Sequence, residues 1–145
     1  MRVIATILMM MAGAVNAADW SEPARGTYDR KAMMDAVRPH AEWLFGDPVQ
    51  FVVHDLRRAG NIGFGALTAQ RPGGKAIDMH RTPGARLGEI DLEMEGQEDF
   101  LVLYRKSGDT WVAVHWSYGA GDVWFAWEPL CAEYRPVIEE FCRGL

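Results

Sequence analysis

The chain has 145 residues, 20 acidic against 15 basic, a net charge of -5 and two cysteines. The negative balance argues against a nucleic-acid binder, because neutralising phosphates needs a basic face, and an apolar fraction of 49% is too high for a disordered chain. The length suits one domain, and two cysteines are too few for a disulfide-dense scaffold.

Residues Met1 to Ala17 read as an export leader. Arg2 supplies the positive charge, Val3 to Val15 the apolar stretch, and Val15-Asn16-Ala17 the small residues of a cleavage site. A membrane anchor needs about 20 apolar residues, and polar Asp19, Ser21 and Glu22 follow too soon for one. Cleavage would leave one domain, residues 18–145, with no stable membrane insertion and a periplasmic or secreted destination.

Residues 29–45 have helical period, with Met33, Val37, Ala41 and Leu44 on one face and Thr27 or Asp29 as the cap. Pro39 inside this pattern predicts a kink or a break. Residues 49–57 and 62–70 read as a hairpin turning at Ala59-Gly60-Asn61, and Gly63 and Gly65 mark a bulge or a close approach. An irregular, acidic connection follows over 71–97, with one short helix near 86–94. It is long enough to be either functional or mobile.

Residues 99–106 and 110–118 form a second hairpin turning at Ser107-Gly108-Asp109, and 119–127 leave the sheet. Short helical turns around Pro136 fill 128–143. The expected fold is α+β: an N-terminal helix packed on a four-stranded antiparallel sheet built from two hairpins, with short C-terminal helices. Such a two-layer domain buries one sheet face and leaves the other open.

An oxidising compartment favours pairing Cys131 with Cys142. Along one unbroken helix they would stand about 16 Å apart, beyond disulfide reach. The predicted remedy is a chain folded back at Pro136. No CxxC motif and no neighbouring histidine points to redox or metal chemistry there.

The pattern Arg30-x-Ala32-x-x-Asp35-Ala36-x-Arg38-Pro39 is followed by Phe51-x-Val53-x-x-Leu56-Arg57. Gly74-x-x-Ile77-Asp78, Trp111, Gly119-x-x-Asp122-Val123-x-x-x-Trp127 and Pro136 come later. Together they resemble a family of small exported bacterial proteins of unknown function, cystatin-like in outline. Those relatives tend to carry Trp-Ala-Phe on the second strand, where this chain has Ile62-Gly63-Phe64. The resemblance implies a fold and no activity.

The dense chemical feature is aromatic: Trp111, Trp116, Tyr118, Trp124, Phe125 and Trp127, with Asp122 among them. Strand alternation places Trp116 and Tyr118 on one face and Trp111 on the other. An aromatic platform beside a carboxylate suits a sugar, peptide or cationic ligand, which makes Trp116, Tyr118, Asp122 and Trp124 the candidate ligand-binding residues. The competing reading has Trp111 and 124–127 closing the core, and Asp122 accepting backbone N–H bonds in its turn.

Catalytic chemistry is not singled out. Ser21, Ser107 and Ser117 lie in no nucleophile elbow, and no pair stands out among Asp78, Asp91, Asp122 and Glu128. None of His40, His54, His80 and His115 has short metal-motif spacing. The nearest metal set is His54 with His115 across the sheet and Asp55 or Asp78 as a third ligand. No cofactor is expected. The expected function is a non-enzymatic exported binding module that meets an envelope protein or peptide at an open sheet face or edge. The alternatives are a small-molecule carrier or sensor with a pocket between helix and sheet, or a small hydrolase or isomerase using Asp or His.

Overall fold

The computed structural model describes residues 19–145. The leader and its cleavage site lie outside these residues.

Helix α1 spans Tyr28–Phe45, and Thr27 caps it by accepting a hydrogen bond from the Arg30 N–H at 3.4 Å. Met33, Val37, Ala41 and Leu44 are buried as their spacing requires. The helix runs unbroken through Pro39, which faces solvent. One forfeited backbone bond does not end a helix whose stability comes from a buried face on both sides of it.

The sheet is antiparallel in the order β1-β2-β3-β4, with β1 Gln50–Ala59, β2 Ile62–Gln70, β3 Asp99–Ser107 and β4 Thr110–Tyr118. Two-residue turns, Gly60-Asn61 and Gly108-Asp109, close the hairpins. The bulges are in the edge strands, at His54 in β1 and Val114 in β4. The β2 glycines serve close approach instead. A Cβ on Gly63 would come within 2.7 Å of the Met33 methyl, and one on Gly65 within 3.0 Å of the Tyr104 ring.

In the long connection the short helix lies earlier than predicted. It is α2, Pro83–Leu87: the Thr82 hydroxyl accepts from the Ala85 N–H, Pro83 opens the helix, and Gly88 in the left-handed region ends it. Residues 88–98 therefore carry no helix.

The second face of the sheet is packed over part of its area rather than left open, so the two-layer expectation is corrected, while Val52, His54 and Val112 on that face stay exposed. Val102 and Tyr104 point to the α1 side with Leu56, Leu67 and Phe100. Leu103, between them, points to the opposite side with Ile62 and Phe64. There it meets Phe125 and helix α3, Glu128–Ile138. Helix α3 passes through Pro136, and the chain bends after Ile138 into a 3-10 turn, Glu139–Phe141. That bend, rather than Pro136, brings Cys131 and Cys142 to a Cα separation of 5.7 Å and allows their disulfide. Arg57 holds the same end to the sheet. Its guanidinium is bonded to Asp55, Glu140 and the Val137 carbonyl and stacked against Trp20.

Asp29, in the first turn of α1, joins three strands. Its carboxylate accepts the Trp111 indole N–H at 2.8 Å and the Lys106 ammonium at 3.0 Å, and it pairs with Arg58. The Trp111 bond, opposed by burial and reinforced by Lys106 and Arg58, holds its pKa down at about 2 against an ordinary 3.8.

A depressed carboxyl stabilises the fold above its unfolded pKa, and that contribution is lost as pH falls toward the folded value. Asp29→Asn should therefore cost about 2 kcal/mol at neutral pH. The difference from wild type should shrink between pH 4 and pH 2, as read by denaturant unfolding across that range. Replacing both cysteines by serine should remove about 3 kcal/mol by the loop-closure argument. A reductant should lower the wild-type midpoint to that of the double variant.

Candidate functional site: a groove beside an open strand edge

Strand β1 pairs with β2 on one side only. On its other side the N-terminal segment covers its end, where Ser21 and Arg58 exchange two backbone bonds of 2.9 Å. The bulge at His54 interrupts the ladder further back. From Gln50 to Val53 the outer edge is left without a strand partner among the described residues.

Helix α1 lies over the β4 side of the sheet. Its small residues Ala32 and Ala36 pack against the core there and, with Trp111, line a smaller cleft of about 310 Å3, and His40 stacks on Trp116 with ring centroids 4.4 Å apart. That offset leaves a groove of about 640 Å3 between α1 and the open edge of β1. Met34, Phe51 and Val53 form its apolar floor, and Arg25, Arg30, Lys31 and Arg38 line it as cations.

The cations are unequally committed. Arg30 is nearly buried and bonds Glu22 and the Pro23 carbonyl, which fixes the N-terminal segment as one wall. Arg38 bonds the Val49 carbonyl and sits 5.7 Å over the Phe51 ring. Lys31 pairs with Asp35 yet its side chain is 78% exposed. Arg25 is exposed and makes no ion pair among the described residues. The Lys31 bond is the largest of the causes that hold the Asp35 carboxyl below its ordinary pKa. The groove thus offers unpaired backbone groups, an apolar floor and positive charge to an extended, acidic ligand.

The aromatic candidates do not form one platform. The bulge at Val114 shifts the alternation of β4, so Trp111, Ala113, Trp116 and Tyr118 all face α1; the expected opposition of Trp111 to Trp116 is corrected. Trp116 is half-buried between His40 and Phe100, and the Tyr118 hydroxyl donates to the Glu89 carbonyl at 2.6 Å. Burial and the nearby Glu89 raise the Tyr118 pKa. Trp124 lies on the other side of the sheet, edge-on to Phe125, its indole N–H buried without a partner. Asp122 is exposed, and among the described residues no hydrogen bond reaches its carboxylate, so it does not hold its turn as expected.

His54 and His115 stand on β1 and β4, the opposite edges, and the cross-sheet pair does not form. His54 bonds the Thr68 hydroxyl at 2.7 Å, and Thr68 in turn donates to Asp99, a polar ladder on an exposed face. His115 lies edge-on to Tyr134. Among the described residues no three His, Cys, Asp or Glu side chains converge on one point, and no helix is long and apolar enough to cross a membrane. Asp78, Asp91, Asp122 and Glu128 are all exposed.

Sequence reasoning missed the groove, although five residues of the resemblance pattern, Arg30, Asp35, Arg38, Phe51 and Val53, border it or pair with its cations. No family model, curated protein or solved structure matches the chain, so nothing identifies the family those motifs resemble.

Because Trp116 packs as core rather than as a free platform, Trp116→Ala should cost about 2 to 3 kcal/mol, below the range of a fully buried aromatic. The same measurement on Asp122→Ala should show no loss. Urea denaturation of both variants distinguishes the two environments.

Proposed function

We propose that this chain is an exported, non-enzymatic binding module, and that it recognises an extended, acidic peptide segment of a protein partner at the open edge of β1. The observation that carries the reading is the coincidence of unpaired edge, apolar floor and cationic lining in one groove. A peptide laid along Gln50–Val53 would take main-chain hydrogen bonds from the edge, place alternate side chains on Met34 and Phe51, and meet Arg25, Lys31 and Arg38 with its carboxylates. Export is supported by the leader-like residues 1–17 and by a disulfide, which persists in oxidising compartments.

This reading moves the recognition surface from an open sheet face to an edge, since Phe125 and α3 pack on the middle of the second face. A carrier with a chamber between helix and sheet has less support, because fully buried side chains fill that space, among them Met33, Val37 and Tyr104.

The test is a titration of the isotope-labelled protein with extended peptides that alternate acidic and apolar residues. Amide shifts should concentrate in 50–54 and along the 25–38 side of α1. Lys31→Glu should weaken binding about tenfold, equivalent to about 1.4 kcal/mol, with folding unchanged because Lys31 is exposed. Affinity should fall as salt rises. Shifts elsewhere, or binding indifferent to Lys31→Glu, would rule out the groove.

A further inference from the structure

We infer that the exposed end, residues 91–95, of segment 89–95 of a second copy of this chain is an occupant of the groove, an inference that rests on reading the groove as a site for extended peptides. The segment is Glu89-Ile90-Asp91-Leu92-Glu93-Met94-Glu95, which alternates acidic and apolar residues without exception. A period of two is the pattern of a strand, yet this segment belongs to no strand and lies in turns and bends. Ile90 alone is buried; Leu92 is 43% and Met94 56% exposed. Among the described residues, Glu89, Asp91, Glu93 and Glu95 make no ion pair. The molecule therefore holds a strand-patterned segment without a strand partner, and a strand edge without a strand.

The two are complementary in charge and in shape. In an extended chain successive side chains point opposite ways, so Leu92 and Met94 can meet Met34 and Phe51 on the floor while the carboxylates face the mouth. Arg25, Lys31 and Arg38 stand there, and the first two are exposed. The groove gathers four cations in a chain whose net charge is -5, and the segment gathers four of its acids.

Within one copy the segment does not reach the groove. The Tyr118 hydroxyl holds the Glu89 carbonyl at the β4 side, and buried Ile90 anchors the same end in the core. The groove borders β1, on the far edge of the sheet, about 14 Å away by strand spacing alone. Occupancy must come from another molecule. When each copy gives one segment and receives one, the pair closes as a two-fold dimer. Self-association and capture of a foreign peptide then exclude one another.

The experiment uses the folded chain, a labelled synthetic peptide of residues 88–96, a shuffled peptide of the same composition and a panel of unrelated alternating acidic peptides. Sedimentation from about ten micromolar to about one millimolar should show a concentration-dependent dimer. Lys31→Glu and the pair Leu92→Ser with Met94→Ser, all at exposed positions, should each return it to monomer. The 88–96 peptide should bind at least tenfold tighter than the shuffled one and dissociate the dimer. Glu93→Lys with Glu95→Lys, mixed with Arg25→Glu and Lys31→Glu, should restore a mixed dimer where neither variant pairs alone. A chain that stays monomeric throughout, or a dimer indifferent to both sets of substitutions, would overturn the inference. If the unrelated peptides bind through Lys31 and 88–96 does not, self-capture falls and the peptide-binding reading stands. If none of the peptides binds, both fall.

Discussion

The carboxylate of Asp29 is the point on which the α1 layer turns. It sits in the first turn of the helix, where the helix dipole favours negative charge, and it collects donors from the end of β1, the end of β3 and the start of β4. At the other end of the helix, Arg71 bonds the carbonyls of Phe45, Gly46 and Pro48. These ties fix both ends of the helix against the sheet. The helix makes its sheet contacts mainly with β4, and the groove along β1 is the space this placement leaves. The candidate site follows from where a helix is fastened rather than from any residue set aside for it.

The second face follows a similar logic with different materials. Helix α3 has 11 residues, too short to be stable alone. The disulfide ties its first turn to the tail beyond the bend, and Arg57 ties its last turn to β1. Burial by itself disfavours the Arg57 charge, yet its bonds to Asp55 and Glu140 leave the pKa raised. With one face packed by α1 and part of the other by α3, the strand backbone left without a ladder partner lies at the two edges. There the bulges at His54 and Val114 and the Ser21 bridge interrupt the ladder, which are the usual means of discouraging unwanted strand pairing. The stretch from Gln50 to Val53, ahead of the bulge at His54, carries none of these devices.

The sequence made the elements legible because their signals are local. The apolar face of α1 follows helical period, and both hairpins are marked by a glycine in a two-residue turn, so their boundaries agree with the structure to within a residue or two. Other features were not legible, and three of them depend on contacts distant in sequence. The bulge at Val114 reverses the alternation of β4 in a run that reads as an uninterrupted strand, and so it moved Trp111 to the side of Trp116. Pro39 and Pro136 looked like breaks because propensity does not register how much buried surface lies on either side of them. The groove was hidden because Arg25, Lys31 and Arg38 look like a solvated helix flank until the fold sets Phe51 and Val53 beside them.

The partial pairing of the groove cations bears on what the site can discriminate. Exposed ion pairs such as Lys31 with Asp35 are worth little, because water and salt already screen them. A ligand carboxylate that displaces Asp35 from Lys31 therefore loses little and gains little in net energy. Charge at the mouth then selects which segments approach and how fast they arrive, more than how tightly they stay. Residence must come from the main-chain bonds along β1 and from apolar side chains placed against Met34 and Phe51. Neither charge alone nor apolarity alone satisfies the groove. The chemistry it asks for is an alternation of the two in an extended chain.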